Sequence, residues 1–151
     1  MALVTPGAAA HKGLGELASR YVDVDALPWT DLPFKGVTGK ILLQDDKKGV
    51  VTALVRMEPG AEIPFHEHTG IEQTFMLEGS LEDAEGACPA GHYVWRPRGN
   101  RHVARSPNGA LMIVIFEAPN EYLDGALKGM SMEDFMKAKA AAKVRFDRQS
   151  C

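Results

Sequence analysis

Long apolar runs, a disulfide framework and a dominant charge sign are all missing from this chain. No stretch of its 151 residues approaches the roughly 20 apolar residues that a membrane-spanning helix needs, so a membrane protein is not expected. Two cysteines, Cys88 and Cys151, cannot form a disulfide framework, and Cys151 is the last residue. Seventeen basic against twenty acidic residues give a formal charge of −3 and an isoelectric point near 5.9. That balance offers no broad basic surface, which argues against nucleic acid as a partner. The first residues lack both a basic start and a sustained apolar core, so no secretion signal is expected. The simplest setting is the cytoplasm, with reduced thiols.

What the chain does have is a series of short strand-like runs with turn signals between them. The length suits one domain with a sizeable core. Residues 1–20 are rich in alanine and glycine without a clear period, and read as an N-terminal arm, disordered or packed on a neighbour. Alternation over Tyr21–Asp25 suggests a first strand. The proline-punctuated Leu27–Phe34 reads as a segment draped over the fold. Further runs follow at Val37–Gln44, Val50–Met57, Ile71–Glu78, His92–Pro97, His102–Arg105 and Ala110–Glu117, separated by Gly-, Asn- and Asp-rich turns. Many short strands with regular turns predict an all-β antiparallel sandwich or barrel over residues 21–125. Residues 126–151 change character. Ser131 followed by Glu133 and Asp134 resembles a helix N-cap, and Met132, Phe135, Met136, Ala140 and Val144 form an apolar stripe. A single C-terminal helix packed on the outside of the barrel is expected there.

Chemistry concentrates in two stretches of the presumed barrel. The first runs from Gly60 through His66, His68 and Glu72 to Gly79; the second runs from Gly91 through Pro97 and Gly99 to His102. Side chains at i and i+2 of an extended strand leave the same face, so His66 and His68 can converge on one point. Glu72 keeps that parity if Thr69–Ile71 stay nearly extended, and His102 must arrive from a separate strand. Three imidazoles and one carboxylate form a donor set suited to iron, manganese, zinc, nickel or copper. The expected site is therefore one divalent transition metal per chain held by His66, His68, Glu72 and His102. Four protein ligands leave up to two positions open on an octahedral ion, whereas tetrahedral zinc would close the site.

These two stretches resemble the paired motifs of the cupin superfamily. The first matches at every fixed position from Gly60 to Gly79. The second matches from Gly91 to His102, with Ser106 where the family often has Asn, a position that is not a metal ligand. The resemblance implies a double-stranded β-helix, the small cupin jelly-roll barrel of the RmlC-like type, with the metal inside its open end. Pro28-Trp29, Leu77-Glu78-Gly79, Tyr93-Val94-Trp95 and Arg101-His102 are similar to pieces of small bacterial cupins related to ChrR and to dihydroxyacetophenone and acetylacetone dioxygenases. The resemblance also implies a homodimer.

Parity from His66 and Glu72 makes Pro64, Thr74 and Met76 inward neighbours of the site, and turns Glu67 and Gln73 outward. In the second stretch, either Tyr93 and Trp95 face the pocket or Val94 and Arg96 do. An inward Arg96 would grip a carboxylate or enolate; an outward one would join Arg98 and Arg101 in a solvated rim, the simpler reading. Two functions follow. One is an iron(II) dioxygenase that cleaves a small diketone, aromatic ketone or diol. The other is a zinc-binding sensory or ligand-binding module without turnover. The anti-sigma factors of this subfamily carry an N-terminal helical zinc domain, whereas residues 1–35 here hold only His11 and no cysteine, which tilts the expectation to the enzyme.

Overall fold

The computed structural model describes residues 3–130 together with Asp134 and Lys137. Eleven strands are described: β1 Leu3–Val4, β2 Thr30–Asp31, β3 Val37–Asp45, β4 Val50–Met57, β5 Ala61–His68, β6 Glu72–Glu82, β7 Ala87–Pro89, β8 Tyr93–Arg96, β9 Arg101–Ser106, β10 Ala110–Phe116 and β11 Asn120–Tyr122. All pair antiparallel in one curled sheet whose main path runs β1-β3-β4-β10-β6-β9-β5-β11. The all-β barrel read from the turn spacing is the fold observed. Among the described residues, no helix is long and apolar enough to cross a membrane.

β6 is what closes the sheet on itself. Its first half pairs with β10 on one side and β8 on the other, while its last residues pair with β7 and, through Glu82, with Arg105 of β9. The strand was expected to stop at Gly79. Instead it bends there and continues, because Gly79 sits at φ 70°, where a side chain is strained, and a Cβ would lie 1.9 Å from the Gly109 carbonyl oxygen. Ser106 pins the two halves: its hydroxyl, fully buried, donates to the Ser80 carbonyl at 2.8 Å.

Alternation along the strands puts the core inside the curl. Val37, Ala53, Val55, Met57, Met76, Met112 and Val114 from one layer meet Ala61, Leu81, Ala104 and Tyr122 from the other. Each fully buried aliphatic side chain contributes about 1.5–3 kcal/mol by leaving water.

Two expectations are corrected. Tyr21–Asp25 is not a strand: Asp23 accepts the amide of Ala26 and the Leu27 amide bonds Val24, so a turn forms where alternation suggested extension. The N-terminal arm is tied down at its start, because β1 pairs with the end of β3 and the Thr5 hydroxyl donates to the Leu42 carbonyl. At the other end of the chain, Gly125–Leu127 form a 3-10 turn ahead of the segment where the C-terminal helix was expected. The apolar stripe expected over Met132–Val144 lies outside the described residues. The draped segment behaves as read: Leu27 and Phe34 are buried, β2 adds to β3, and the Trp29 ring lies under both Lys40 and Arg56.

Candidate metal centre

β5, β9 and β6 deliver the four expected ligands to one chamber by different geometric routes. His66 and His68 leave the same face of β5, and His66 stands directly opposite His102 in the β5–β9 pairing. That register is set by an irregularity between Ile63 and His66, so Pro64 and Phe65 absorb one step of the pleat. All three imidazoles are buried, at 2%, 0% and 6% exposure. The Nε2 atom of His102 lies 3.0 Å from that of His68 and 3.1 Å from that of His66. Among the described residues, these three form the group of side chains able to hold a metal ion.

The opposite nitrogens explain why the Nε2 atoms converge. His66 Nδ1 is 2.6 Å from the Pro64 carbonyl, His68 Nδ1 is 3.0 Å from Asn120 Oδ1, and His102 Nδ1 is 3.0 Å from Asp83 Oδ2. Each of these partners accepts, so the tautomers assigned from them place a proton on every Nδ1 and leave every Nε2 a bare lone pair. The lone pair of His102 then faces those of His66 and His68 across about 3 Å with no hydrogen between them. A cation relieves that repulsion. Nitrogens about 2.1 Å from a common ion and at right angles around it stand about 3.0 Å apart, which is the spacing seen. The donor set therefore fits a divalent transition metal.

Electrostatics agree with neutral ligands. Burial lowers His68 to about 3, reinforced by His66, His102 and Arg96. Burial and Arg96 bring His102 down to about 4, despite the opposing pull of Asp83. His66 is lowered too, mainly by burial. Imidazoles that refuse protons at neutral pH are ready to coordinate.

Glu72 reaches the chamber but not the point of convergence. Thr69 and Gly70 bend the link between β5 and β6 rather than leaving it extended as parity assumed. The Glu72 carboxylate lies 3.3 Å from His68 Nδ1, on the side of the ring away from Nε2, and Oε1 accepts from Arg96 Nη1 at 3.2 Å. Burial raises its carboxyl to about 7 against the pull of Arg96 and Thr74.

Of the proposed pocket residues, Thr74 and Met76 are buried on the inner face as expected, and Thr74 donates to Glu72 Oε1 at 3.5 Å. The parity of β8 is now settled. Tyr93 and Trp95 point outward and are exposed, while Arg96 is 5% exposed and faces in, so the solvated-rim reading of Arg96 is corrected. Tyr93 spends its hydroxyl on Gln73, and Glu67 pairs with Arg101, both on the outside.

Asp83 and Asn120 were missed by sequence reasoning. Asp83 carries one oxygen on the amides of Glu85 and Gly86 and the other on Arg96 Nη2 and His102 Nδ1. Burial would raise it, but Arg96, the Glu85 amide and His102 outweigh burial and hold it near 2. The Asp-x-x-Gly pattern of residues 83–86 signals a turn, but nothing local says where the second oxygen points. Asn120 stands opposite His68 in β11, a strand too short to show a period.

Comparison with known proteins places this arrangement. The family described as the ChrR cupin-like domain matches residues 17–121. No curated protein matches the sequence. Among solved structures, the chain is similar to a putative acetylacetone dioxygenase from Methylibium petroleiphilum PM1, with 21% identity, TM-score 0.68 and 74% of this chain covering 85% of that one. An acetylacetone dioxygenase from Acinetobacter johnsonii is alike at 20% identity, TM-score 0.67 and 74% against 82% coverage. The complex of SigE with the anti-sigma ChrR from Rhodobacter sphaeroides gives 21% identity and TM-score 0.54, with 62% of this chain covering 50% of that one. At these identities the likeness is one of fold, the cupin jelly roll. Since the family match spans more than half of the chain, the protein belongs to the ChrR cupin-like domain family.

Proposed function

We propose that this cupin is a metal-dependent dioxygenase that cleaves a small oxygenated compound, a β-diketone, aromatic ketone or diol. The observation that carries the reading is the convergence of three neutral, buried Nε2 lone pairs whose Nδ1 atoms are all engaged. His66, His68 and His102 would hold one divalent ion, iron(II) in the first instance, with zinc, manganese or nickel as the alternatives. Such an ion supplies Lewis acidity and, as iron, one-electron chemistry with dioxygen.

The chain's own residues do the rest. Pro64, Asn120 and Asp83 fix the three rings in the coordinating tautomer. Val114, Ala53 and Met76 line the interior with apolar surface and exclude water. In the overall reaction a carbon–carbon bond of the substrate breaks and both atoms of dioxygen enter the products. The substrate supplies the electrons, so no second reductant is consumed.

Oxygen uptake by the iron-loaded protein, measured with a panel of diketones, aromatic ketones and catechol-like diols, tests this directly. Uptake with at least one class, abolished in His102→Ala, is expected. Absence of uptake, with zinc retained at full occupancy in protein purified without chelators, would sink it.

That outcome would favour a second reading, a zinc-binding sensory or ligand-binding module. It draws support from the burial of the centre: of two flanking cavities, of about 250 and 320 Å³, the larger reaches His102 and neither reaches His66 or His68. In either case we take the protein to be a cytoplasmic homodimer. The exposed Phe75, Leu77, Tyr93 and Trp95 on the outer face of β6 and β8 offer an apolar surface for pairing. Gel filtration at about twice the monomer mass is expected.

A further inference from the structure

We propose that Arg96 decides how many protein ligands this centre offers: by holding the Glu72 carboxylate in a buried ion pair, it keeps Glu72 off the metal and leaves a three-histidine site. The inference rests on reading the three imidazoles as a metal centre. Glu72 and Arg96 stand directly opposite each other in the β6–β8 pairing, so both side chains leave the same face and meet inside. One arm of the guanidinium, Nη1, lies 3.2 Å from Glu72 Oε1; the other, Nη2, lies 3.0 Å from Asp83 Oδ2. Asp83 is itself anchored by two backbone amides, at 2.8 and 3.1 Å, so Arg96 is held at both ends of its fork. Thr74 Oγ1 also donates to Oε1, at 3.5 Å, and the other oxygen, Oε2, lies behind the His68 ring, 3.3 Å from Nδ1.

The pair is buried on both sides, with side-chain exposures of 6% and 8%, so water does not screen it. For Glu72 to ligate, its carboxylate must swing from behind the His68 ring toward the Nε2 atoms, which draws it away from a guanidinium whose Nε already lacks a partner. A buried charge stripped of its partner is strongly unfavourable, and ligation would recover only the difference between the two cations. Three ligands in place of four leave one more position for substrate. Arg96 is thus a positioning residue that acts on the metal centre through Glu72.

Cobalt(II) titration reads this out without turnover, because its visible bands report the donor set and the same titration yields affinity. Wild type, Glu72→Gln, Arg96→Met and the double variant are compared. If Arg96 locks Glu72, Glu72→Gln keeps the wild-type bands and an affinity within about twofold, as for an uncoupled change. Arg96→Met then shifts the bands and tightens binding by about tenfold, and the double variant returns to the wild-type bands. Altered bands with about tenfold or more loss of affinity in Glu72→Gln alone would overturn the proposal, because Glu72 would already be a ligand. So would wild-type bands in Arg96→Met. Should Arg96→Met fail to fold, the Glu72→Gln arm decides by itself. Wild-type protein that takes up no cobalt would refute the metal centre itself, a different result from a lock that fails.

Discussion

Two regions of the barrel interior are equally buried and chemically opposite. Val37, Met57, Met76 and Met112 form one, with exposures of 2% or less; His66, His68, Glu72, Arg96 and His102 form the other, at 6% or less. The same strands serve both: β5 runs from Ala61 to His68, and β6 runs back from Glu72 to Met76. In the apolar region, burial is the stabilising interaction, and the side chains need only fill space. In the polar region, burial is the cost. Every Nδ1, carboxylate and guanidinium arm has a partner there, yet the three Nε2 atoms face one another with none. A fold that keeps such a region bears an energetic penalty that a bound cation would remove, the kind of local conflict expected at a functional site.

The largest expected effect separates the two regions by their response to metal. Iron(II), cobalt(II) or zinc at about a thousandfold above its dissociation constant should add about 4 kcal/mol to stability, which is about 8–16 °C in Tm for a chain of this size. His102→Ala should abolish that increment in a thermal scan while leaving the metal-free protein folded. Met76→Ala is the counterpart. A buried Met→Ala change costs about 2–5 kcal/mol through lost transfer energy and a cavity. The metal-induced increment should survive it. If Met76→Ala also lost the increment, the two regions would not be independent.

Next in size is a pH dependence with opposing contributions. His68 and His102, lowered to about 3 and 4, stay neutral in the folded chain where the unfolded chain takes up protons below pH 6.5. Their stability is therefore present above pH 6.5 and lost as the pH falls toward 4. Glu72, raised to about 7, does the reverse: it contributes stability at low pH that is lost as the pH rises through 7. At about 1.4 kcal/mol per pH unit per group, these three groups alone should cost the metal-free protein on the order of 1–2 kcal/mol between pH 7.5 and 5, and His66, lowered in the same direction, adds to that loss. Glu72→Gln removes the opposing contribution and should deepen the loss to about 4 kcal/mol in urea titrations. A shallower loss in the variant would mean that Glu72 does not take up a proton inside the barrel as the pH falls through 7.

How far the sequence foretold this follows from the range of each interaction. Strand-scale alternation reported which face His66, His68, Thr74 and Met76 would take, because the pleat alone sets it. Turn chemistry placed β3, β4 and β10 almost to the residue. Parity put Glu72 on the inner face, but a bend at residues 69–70 leaves its carboxylate behind the His68 ring; parity also left Arg96 open, since two residues on either side of a strand look alike until the register with β6 is known. Asp83 and Asn120 escaped altogether. Their partners, His102 and His68, lie 19 and 52 residues away, a separation no local pattern spans. The three imidazoles able to hold a metal were thus legible, and the groups that orient them were not.

Those groups can be set against the protein's exterior with one chemical change made twice. Asp83 and Arg96 lie 3.0 Å apart and buried; Glu62 and Arg105 lie 2.9 Å apart with more than half of each side chain exposed. Distance alone would rate the pairs alike. Inside, Asp83→Asn removes charge from both Arg96 and His102 Nδ1, so metal affinity by cobalt titration should fall about 10–100-fold although no ligand is touched. Outside, water and side-chain entropy cancel most of the attraction, and Glu62→Gln should change stability by less than about 1 kcal/mol. Metal affinity should not respond to it at all. An effect of Glu62→Gln comparable to that of Asp83→Asn would mean that β9 as a whole, rather than the buried Asp83–Arg96–His102 chain, sets the geometry of the centre.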